Sequence, residues 1–210
     1  MNSKTTQASF GLALAVLCLL GHAAAAQHTI GIKAGASYST IGSSIINYGG
    51  TAGFQAGGFY QRPLSEKVAL QAGLALAQRG ASDEVFLTDE TGLAIGSDRQ
   101  HIRLNYLDLP VGVAISLGQA MYLGTGLQVS LLLSNQQKGL QRLGGPGSSN
   151  FGWRRFDVAS FLAVGRTITG SLAAELRGSL SFIEPYQRKN DLFYTFSHTS
   201  LQLSAVYTLN

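Results

Sequence analysis

Apolar and polar residues alternate with a period of two through most of the chain. In residues 171–183, which read SLAAELRGSLSFI, the positions from Leu172 to Phe182 that share a face are apolar or small, whereas Glu175 and Arg177 lie on the other face. Because successive side chains of a β-strand point to opposite sides, this pattern predicts a strand with one apolar and one polar face. The same alternation recurs, more weakly in the first three segments, in residues 30–38, 53–61, 68–76, 107–117, 121–133 and 200–209.

The connections between these segments alternate between short and long. Residues 156–166 supply an eighth predicted strand, although the pattern does not assign its faces. Tight turns are expected at residues 62–66, 118–119 and 167–170, and long links at roughly 41–51, 80–100, 135–155 and 184–197. In an up-and-down meander, all short turns then lie at one end, as in outer-membrane barrels, whose short turns face the periplasm and whose long loops face outward. Both chain ends are therefore expected in the periplasm. The sequence predicts an all-β fold: an eight-stranded antiparallel up-and-down transmembrane β-barrel.

Composition and charge placement indicate which face of the strands meets lipid. Of the 210 residues 45% are hydrophobic and only 12% are charged, against about 25% charged residues in a soluble domain. The charges expected within strands, chiefly Lys33, Asp108, Glu175 and Arg177, all lie on the polar face, whereas Asp83, Glu84 and most other charges fall in the long links. Since a Lys or Arg that faces lipid costs about 2–4 kcal/mol, the apolar face is predicted to point outward.

A soluble secreted barrel of the lipocalin type is the main alternative fold. Such a barrel would turn its apolar face inward, and its water-facing positions would carry Lys, Glu, Asp and Thr. Here the polar face holds mostly Gly, Ser, Gln and Ala, which suit the narrow interior of an eight-stranded barrel. The membrane barrel is therefore preferred, and the soluble ligand-binding barrel remains the alternative.

Residues 1–26 have the pattern of a cleaved secretory signal peptide. Lys4 precedes an apolar run at residues 10–20 that is too short for a membrane helix, and four alanines end at Ala26. Cleavage is predicted after Ala26, which leaves residues 27–210 as the barrel domain. Cys18, the only cysteine, lies in the removed segment, so neither disulfides nor thiol chemistry is expected in the mature chain.

Two short motifs resemble a known family. Gly31-Ile32-Lys33-Ala34-Gly35 and Tyr106-Leu107-Asp108-Leu109-Pro110 are similar to the first strand and a mid-chain segment of the PorT-like outer-membrane β-barrel family, the porin family proteins of gram-negative bacteria. The resemblance implies location in the outer membrane of a gram-negative bacterium, contact with outer-membrane lipid, and passage through the export and barrel-assembly machinery. The chain departs from such barrels at its end, where Tyr207 is followed by three non-aromatic residues.

The polar face supplies the candidate interior site. Ion pairs and hydrogen bonds are expected among these side chains, because a buried charge without a partner is costly. Glu175 and Arg177 are two residues apart and therefore share a face. The preferred interpretation is a polar core that fixes the barrel's shape, and the alternative is a narrow porin-like channel for ions or small solutes. The predicted network consists of Lys33, Gln55, Gln71, Asp108, Gln128, Glu175 and Arg177.

A cluster in the link before residue 156 is the candidate partner-binding patch. Phe151, Trp153, Arg154 and Arg155 combine aromatic rings with guanidinium groups, a combination that is frequent in binding hot spots and suited to phosphate groups. An extracellular ligand is therefore one expected partner of the outer loops. The competing interpretation is a loop that packs on the barrel rim.

Motifs for enzyme chemistry are absent from the sequence. There is no H-E-x-x-H, no G-x-S-x-G and no P-loop, and His28, His101 and His198 lack the spacing of metal ligands. We therefore expect no catalytic residue, cofactor or metal. The predicted mature chain carries a net charge of 14 − 11 = +3 that is scattered along the chain, so no nucleic-acid partner is expected. The predicted function is structural or surface interaction in the outer membrane.

Overall fold

Ten strands make up the regular structure of the residues that the structure describes. The computed structural model describes residues 28–42, 49–88, 93–138, 152–182, 186–187 and 197–209. Within those residues, no helix occurs that is long and apolar enough to cross a membrane. The strands are β1 (Thr29–Gly42), β2 (Gly49–Pro63), β3 (Val68–Thr88), β4 (Ala94–Ser116), β5 (Met121–Lys138), β6 (Gly152–Trp153), β7 (Phe156–Thr167), β8 (Leu172–Ser181), β9 (Tyr186–Gln187) and β10 (Ser197–Leu209).

Eight of the strands form a closed antiparallel barrel. Each strand pairs with the next long strand along the chain, and β1 closes the barrel by pairing with both β2 and β10. The short strands β6 and β9 pair with each other outside the barrel. Backbone hydrogen bonds close the three tight turns, for example from the Leu64 N–H to the Val68 carbonyl at 2.8 Å. In the turn after β4, Gly118 adopts a φ of 100°, a conformation that favours glycine. The predicted eight-stranded up-and-down barrel is confirmed.

The apolar side chains point away from the barrel axis. Leu127 is 55% exposed and Leu203 is 61% exposed, whereas their neighbours Gln128 and Gln202 are only 2% and 1% exposed. Arg177 is also buried, at 5%. A wall of exposed leucines around a polar interior requires a hydrocarbon environment, because it would be insoluble in water. The predicted orientation is confirmed, and it contradicts the soluble lipocalin-type alternative.

On the longest strands the outer face changes from apolar to polar, and the inner face from polar to apolar, toward the end opposite the tight turns. On β4, the outward residues from Leu107 to Leu117 are apolar, and this stretch of eleven residues matches the roughly 9–11 residues that a tilted strand needs to cross a bilayer. Above it, Arg103 is exposed, whereas Leu104 is completely buried. The outer wall therefore leaves the lipid near Tyr106 and faces water beyond that level.

Polar side chains mark this boundary on the outside of the barrel. The Gln78 amide donates a hydrogen bond to Asn105 Oδ1 at 3.1 Å, and the Asn105 amide donates to Ser134 Oγ at 2.8 Å. The three residues lie on neighbouring strands β3, β4 and β5, just above the apolar band. They form a hydrogen-bonded band that would be out of place against hydrocarbon.

The predicted long link at residues 80–100 is mostly strand. Strand β3 continues to Thr88 and β4 begins at Ala94, so Asp83 and Glu84 lie within a strand rather than in a loop. The pairing of β2 with β3 extends to Ser82 and that of β5 with β4 to His101, and beyond this level β3 and β4 pair, among the described residues, with each other alone. The prediction failed here because the outer face turns from lipid to water, which reverses the pattern expected of a membrane strand.

Candidate functional site: the filled lumen

The lumen consists of three layers of side chains. At the end with the tight turns it is narrowed by apolar groups that include Phe59 and Val206, and a polar layer lies above them. At the opposite end an apolar cluster, here called the outer cap, packs across the barrel. The outer cap consists of Ile41, Ala81, Ile102, Leu104 and Tyr106, with Leu132 packed against it. The sequence pattern did not predict this apolar layer. It assigned polar residues to the inner face throughout, whereas above the membrane the inner face is apolar.

One cluster of charges in the polar layer is centred on Glu175. Lys33 Nζ lies 2.6 Å from Glu175 Oε1, and Arg177 Nε lies 3.1 Å from the same oxygen. The Tyr122 hydroxyl donates to Glu175 Oε2 at 2.8 Å. The Arg177 guanidinium also stacks on the Phe161 ring, 4.3 Å from its centroid. This cluster joins three of the predicted residues and carries one excess positive charge.

A second cluster is centred on Arg79, which the sequence analysis did not identify. Arg79 Nη2 pairs with Asp108 Oδ2, and Nη1 donates to Ser130 Oγ at 3.3 Å. The carboxylate of Asp157 lies in this part of the lumen and accepts a hydrogen bond from Ser181. The Arg79 guanidinium lies 5.1 Å from the Tyr106 ring centroid, directly beneath the outer cap. With Asp157 included, this cluster has one excess negative charge, which balances the first.

The sequence pattern did not assign Arg79 or Asp157 of the second cluster to the lumen. Arg79 lies three residues beyond Leu76, the last position of that predicted strand, and directly before the predicted link at residues 80–100. On β7 the inward residues are Asp157, Ala159, Phe161 and Ala163. Since alanine occurs on both faces of other strands, that alternation did not assign Asp157 to the lumen.

The predicted glutamines line the space between the two clusters. Gln55 Nε2 donates to Ser204 Oγ at 2.6 Å, and Gln128 Nε2 donates to Ser130 Oγ at 3.3 Å. Gln71 borders a cavity of about 30 Å³ that also touches Lys33 and Asp108. A water molecule needs about 10–15 Å³ of such volume, so the cavity has room for about two waters and not for a solute. All seven residues of the predicted network thus face the lumen.

The predicted outer patch is described only in part. Phe151 lies outside the described residues, and Trp153 belongs to β6, which pairs with β9. Arg154 and Arg155 are exposed immediately before Phe156, which is itself exposed on β7. The Leu132 N–H donates to the Arg155 carbonyl at 2.7 Å, which fixes this segment to β5 at the outer edge of the apolar band. The two guanidinium groups therefore lie where lipid headgroups meet water.

The three histidines named in the sequence lie at different places in the barrel. His28 lies at the turn end, where its Nδ1 is 2.6 Å from the Tyr60 hydroxyl, and His101 is exposed on the outer part of β4. His198 is buried beside Tyr106. In the part of the chain that the structure describes, no three His, Cys, Asp or Glu side chains are grouped so that they could hold a metal ion.

Comparison with known proteins identifies the family of this barrel. Residues 25–185, well over half of the chain, match the family described as the outer membrane protein beta-barrel domain. The chain belongs to this family. It is an integral β-barrel protein of the outer membrane, whereas cleavage after Ala26 stays a prediction. A comparison with curated protein sequences gave no match.

Among solved structures, one outer-membrane protein shares the fold at low sequence identity, and two others show a weaker likeness. Neisserial surface protein A is 12% identical with a TM-score of 0.51, and the match covers 86% of this chain and 97% of that one. Ail, the attachment invasion locus protein of Yersinia pestis, is 11% identical with a TM-score of 0.47, over 86% of this chain and 98% of Ail. OprG from Pseudomonas aeruginosa is 10% identical with a TM-score of 0.36, over 87% and 96%. At these identities the likeness concerns the fold alone.

Proposed function

We propose that the protein is a sealed, non-conducting barrel that serves the cell envelope as a structural and surface-presenting element. The observation that carries this proposal is the filled lumen. The outer cap closes one end, and the two charge clusters fill the middle, with Leu104, Tyr106, Gln128 and Glu175 all less than about 2% exposed. Eight strands enclose only enough space for packed side chains.

The balance of charge in the lumen supports a structural role over conduction. A path for ions needs water or mobile charges along its length, whereas here Lys33, Arg177 and Glu175 are paired with one another and Arg79 is paired with Asp108. Ions would have to pass the mostly apolar outer cap, where the side chains of Ile41, Ile102 and Leu104 cannot replace their hydration.

Conductance of the purified barrel tests the proposal. Refolded protein is added to a planar lipid bilayer, with a known porin as the positive control and refolding detergent alone as the blank. We expect no stepwise conductance above the blank. A second sample carries Leu104→Ala and Tyr106→Ala, which open the outer cap but leave the charge clusters in place, and it should also fail to conduct. Regular steps from the unaltered protein would favour the channel alternative and contradict the proposal.

The outer part of the barrel supports the surface-presenting role. Above the apolar band, the walls of β3 and β4 have polar outer faces around an apolar interior, as in a soluble domain. Exposed Arg154 and Arg155 beside exposed Phe156 form the patch that we propose for contact with an extracellular ligand or with phosphate-bearing headgroups.

A further inference from the structure

A groove runs across the outer wall on the side of β1, β10, β8 and β7. Its volume is about 610 Å³, within the range of small-molecule sites. Two neighbouring rows of cross-strand partners border it. The upper row is Thr40, Thr199, Leu180 and Ser160, and the lower row is Tyr38, Leu201, Gly178, Leu162 and Thr125.

The groove descends from the outer rim into the middle of the apolar band. On β1 it begins at Thr40, next to Ile41 of the outer cap and therefore at the level where the wall leaves the lipid. On β5 it ends at Thr125, between the outward residues Leu123 and Leu127 of the apolar band. The lower row crosses four gaps between strands of about 4.8 Å each, so the groove is about 19 Å long. This length and diagonal course suit an extended chain rather than a compact ligand.

The groove is polar at the rim and apolar at depth, just as a lipid is polar at its headgroup and apolar along its chains. Its rim end carries the hydroxyl groups of Thr40 and Thr199, and its deeper part is bordered by Leu162, Leu180 and Leu201, all about half exposed or more. The Thr125 hydroxyl at the deep end is bonded to the Phe161 carbonyl at 3.1 Å. Polar linkages of a lipid would meet the rim, and its hydrocarbon would meet the leucines.

Gly178 gives the groove its depth. Its outward position lies between Leu162 and Leu201 on the neighbouring strands, and a Cβ atom placed on it would meet nothing within 4 Å. Glycine is therefore not required there by packing, and its effect is to leave a trough between two leucines. We propose that this groove binds one acyl chain of an outer-leaflet lipid. It is continuous with the lipid-facing wall, so its occupant enters from the surrounding leaflet.

Photolabelling tests the proposal. The barrel is reconstituted in phosphatidylcholine vesicles that contain a small fraction of phosphatidylcholine with a diazirine on one acyl chain, irradiated, digested and analysed by mass spectrometry. Adducts should be several-fold more frequent on Leu162 and Leu201 than on Leu74 and Val111, which are similarly exposed on the opposite wall. Equal labelling around the barrel would overturn the proposal.

Two variants on β8 provide a matched pair. Gly178→Phe fills the trough, and the open space around Gly178 indicates that the barrel accommodates the ring. Ala174→Phe adds the same ring to the same face, outside the groove. Only Gly178→Phe should lower the labelling of Leu162 and Leu201.

Leu180→Ala provides a further check. It removes one wall of the groove without adding volume, so it should also reduce the excess labelling of Leu162 and Leu201. Unchanged labelling in Gly178→Phe would contradict the assignment. Groove residues that are protected by contact with a second barrel, detected by cross-linking, would show that another copy occupies the groove and not a lipid.

Discussion

The pair of Arg79 and Asp108 gives a quantitative test of the filled lumen. Both side chains are about 3% exposed, and Asp108 Oδ1 has no hydrogen-bond partner among the described residues, so Arg79 supplies the bond that its other oxygen accepts. Arg79→Met leaves the carboxylates of Asp108 and Asp157 without this cation. Breaking a buried pair from one side costs about 3–5 kcal/mol, and we expect a loss of this size in the free energy of unfolding.

Removing the carboxylate of the pair should lower the free energy of unfolding by less than removing the guanidinium does. In Asp108→Asn, Arg79 keeps its bond to Ser130 and remains near the Asp157 carboxylate, so the loss expected is that of one charged hydrogen bond, about 1.5–3 kcal/mol. The double variant should lose less than the sum of the two single losses, by about 1–3 kcal/mol, because the two groups interact directly. The asymmetry between the single variants is specific to a lumen in which Arg79 serves two carboxylates.

Urea unfolding in lipid vesicles provides the measurement. Trp153 is the only tryptophan, so its fluorescence reports the transition, and an unchanged slope with urea shows that only stability has changed. Arg166→Met, at an exposed position near the turn end of β7, is the control and should stay within about 0.5 kcal/mol. If Arg79→Met matched this control, or if the two single losses simply added, the charged groups of the lumen would not form a coupled network.

Two further predictions concern the position of the membrane. Leu176→Arg puts a charge on the lipid-facing wall and should lower the free energy of unfolding by about 2–4 kcal/mol in the same assay. Gln136 is exposed above the apolar band, so Gln136→Arg should change it by no more than about 0.5 kcal/mol. Equal losses would refute the assigned position of the apolar band. A cysteine introduced by Arg154→Cys should react with a membrane-impermeant maleimide on intact cells, and one introduced by Ser65→Cys only after lysis. Cys18 lies in the predicted signal peptide, so no native thiol competes, and the opposite result would invert the topology.

The sequence was most informative where the environment of a strand stays the same along its length. In residues 107–117 one face meets lipid throughout and the other meets the lumen, so strict alternation predicted both the strand and its orientation. Lys33, Glu175 and Arg177 could be assigned to one interior network for the same reason. Lys33 is distant in sequence from Glu175 and Arg177, but the alternation of faces along each strand is enough to place all three on the inner side of the wall.

The remaining features depend on information that alternation does not carry. Which interior charges meet is set by the stagger of strands around the barrel, and this brings Arg79 of β3 to Asp108 of β4. Above the membrane the outer face becomes polar and the inner face apolar, so Ile102 and Leu104 have the parity of lumen residues but the character of lipid-facing ones. A pattern in which the apolar and polar faces change places once along a strand would have predicted both the hairpin and the outer cap.

The polar outer wall above the apolar band has a consequence for how the barrel reaches its final position. The outer ends of the strands, with Gln78, Arg103 and Asn105 on their exterior, must be translocated across the hydrocarbon before they emerge on the far side. Each guanidinium that crossed bare lipid would add about 2–4 kcal/mol to the barrier, in addition to the unpaired backbone groups of an open sheet. Biogenesis of this chain is therefore expected to use a hydrated route, in which hairpins pass together and the seam between β1 and β10 closes last.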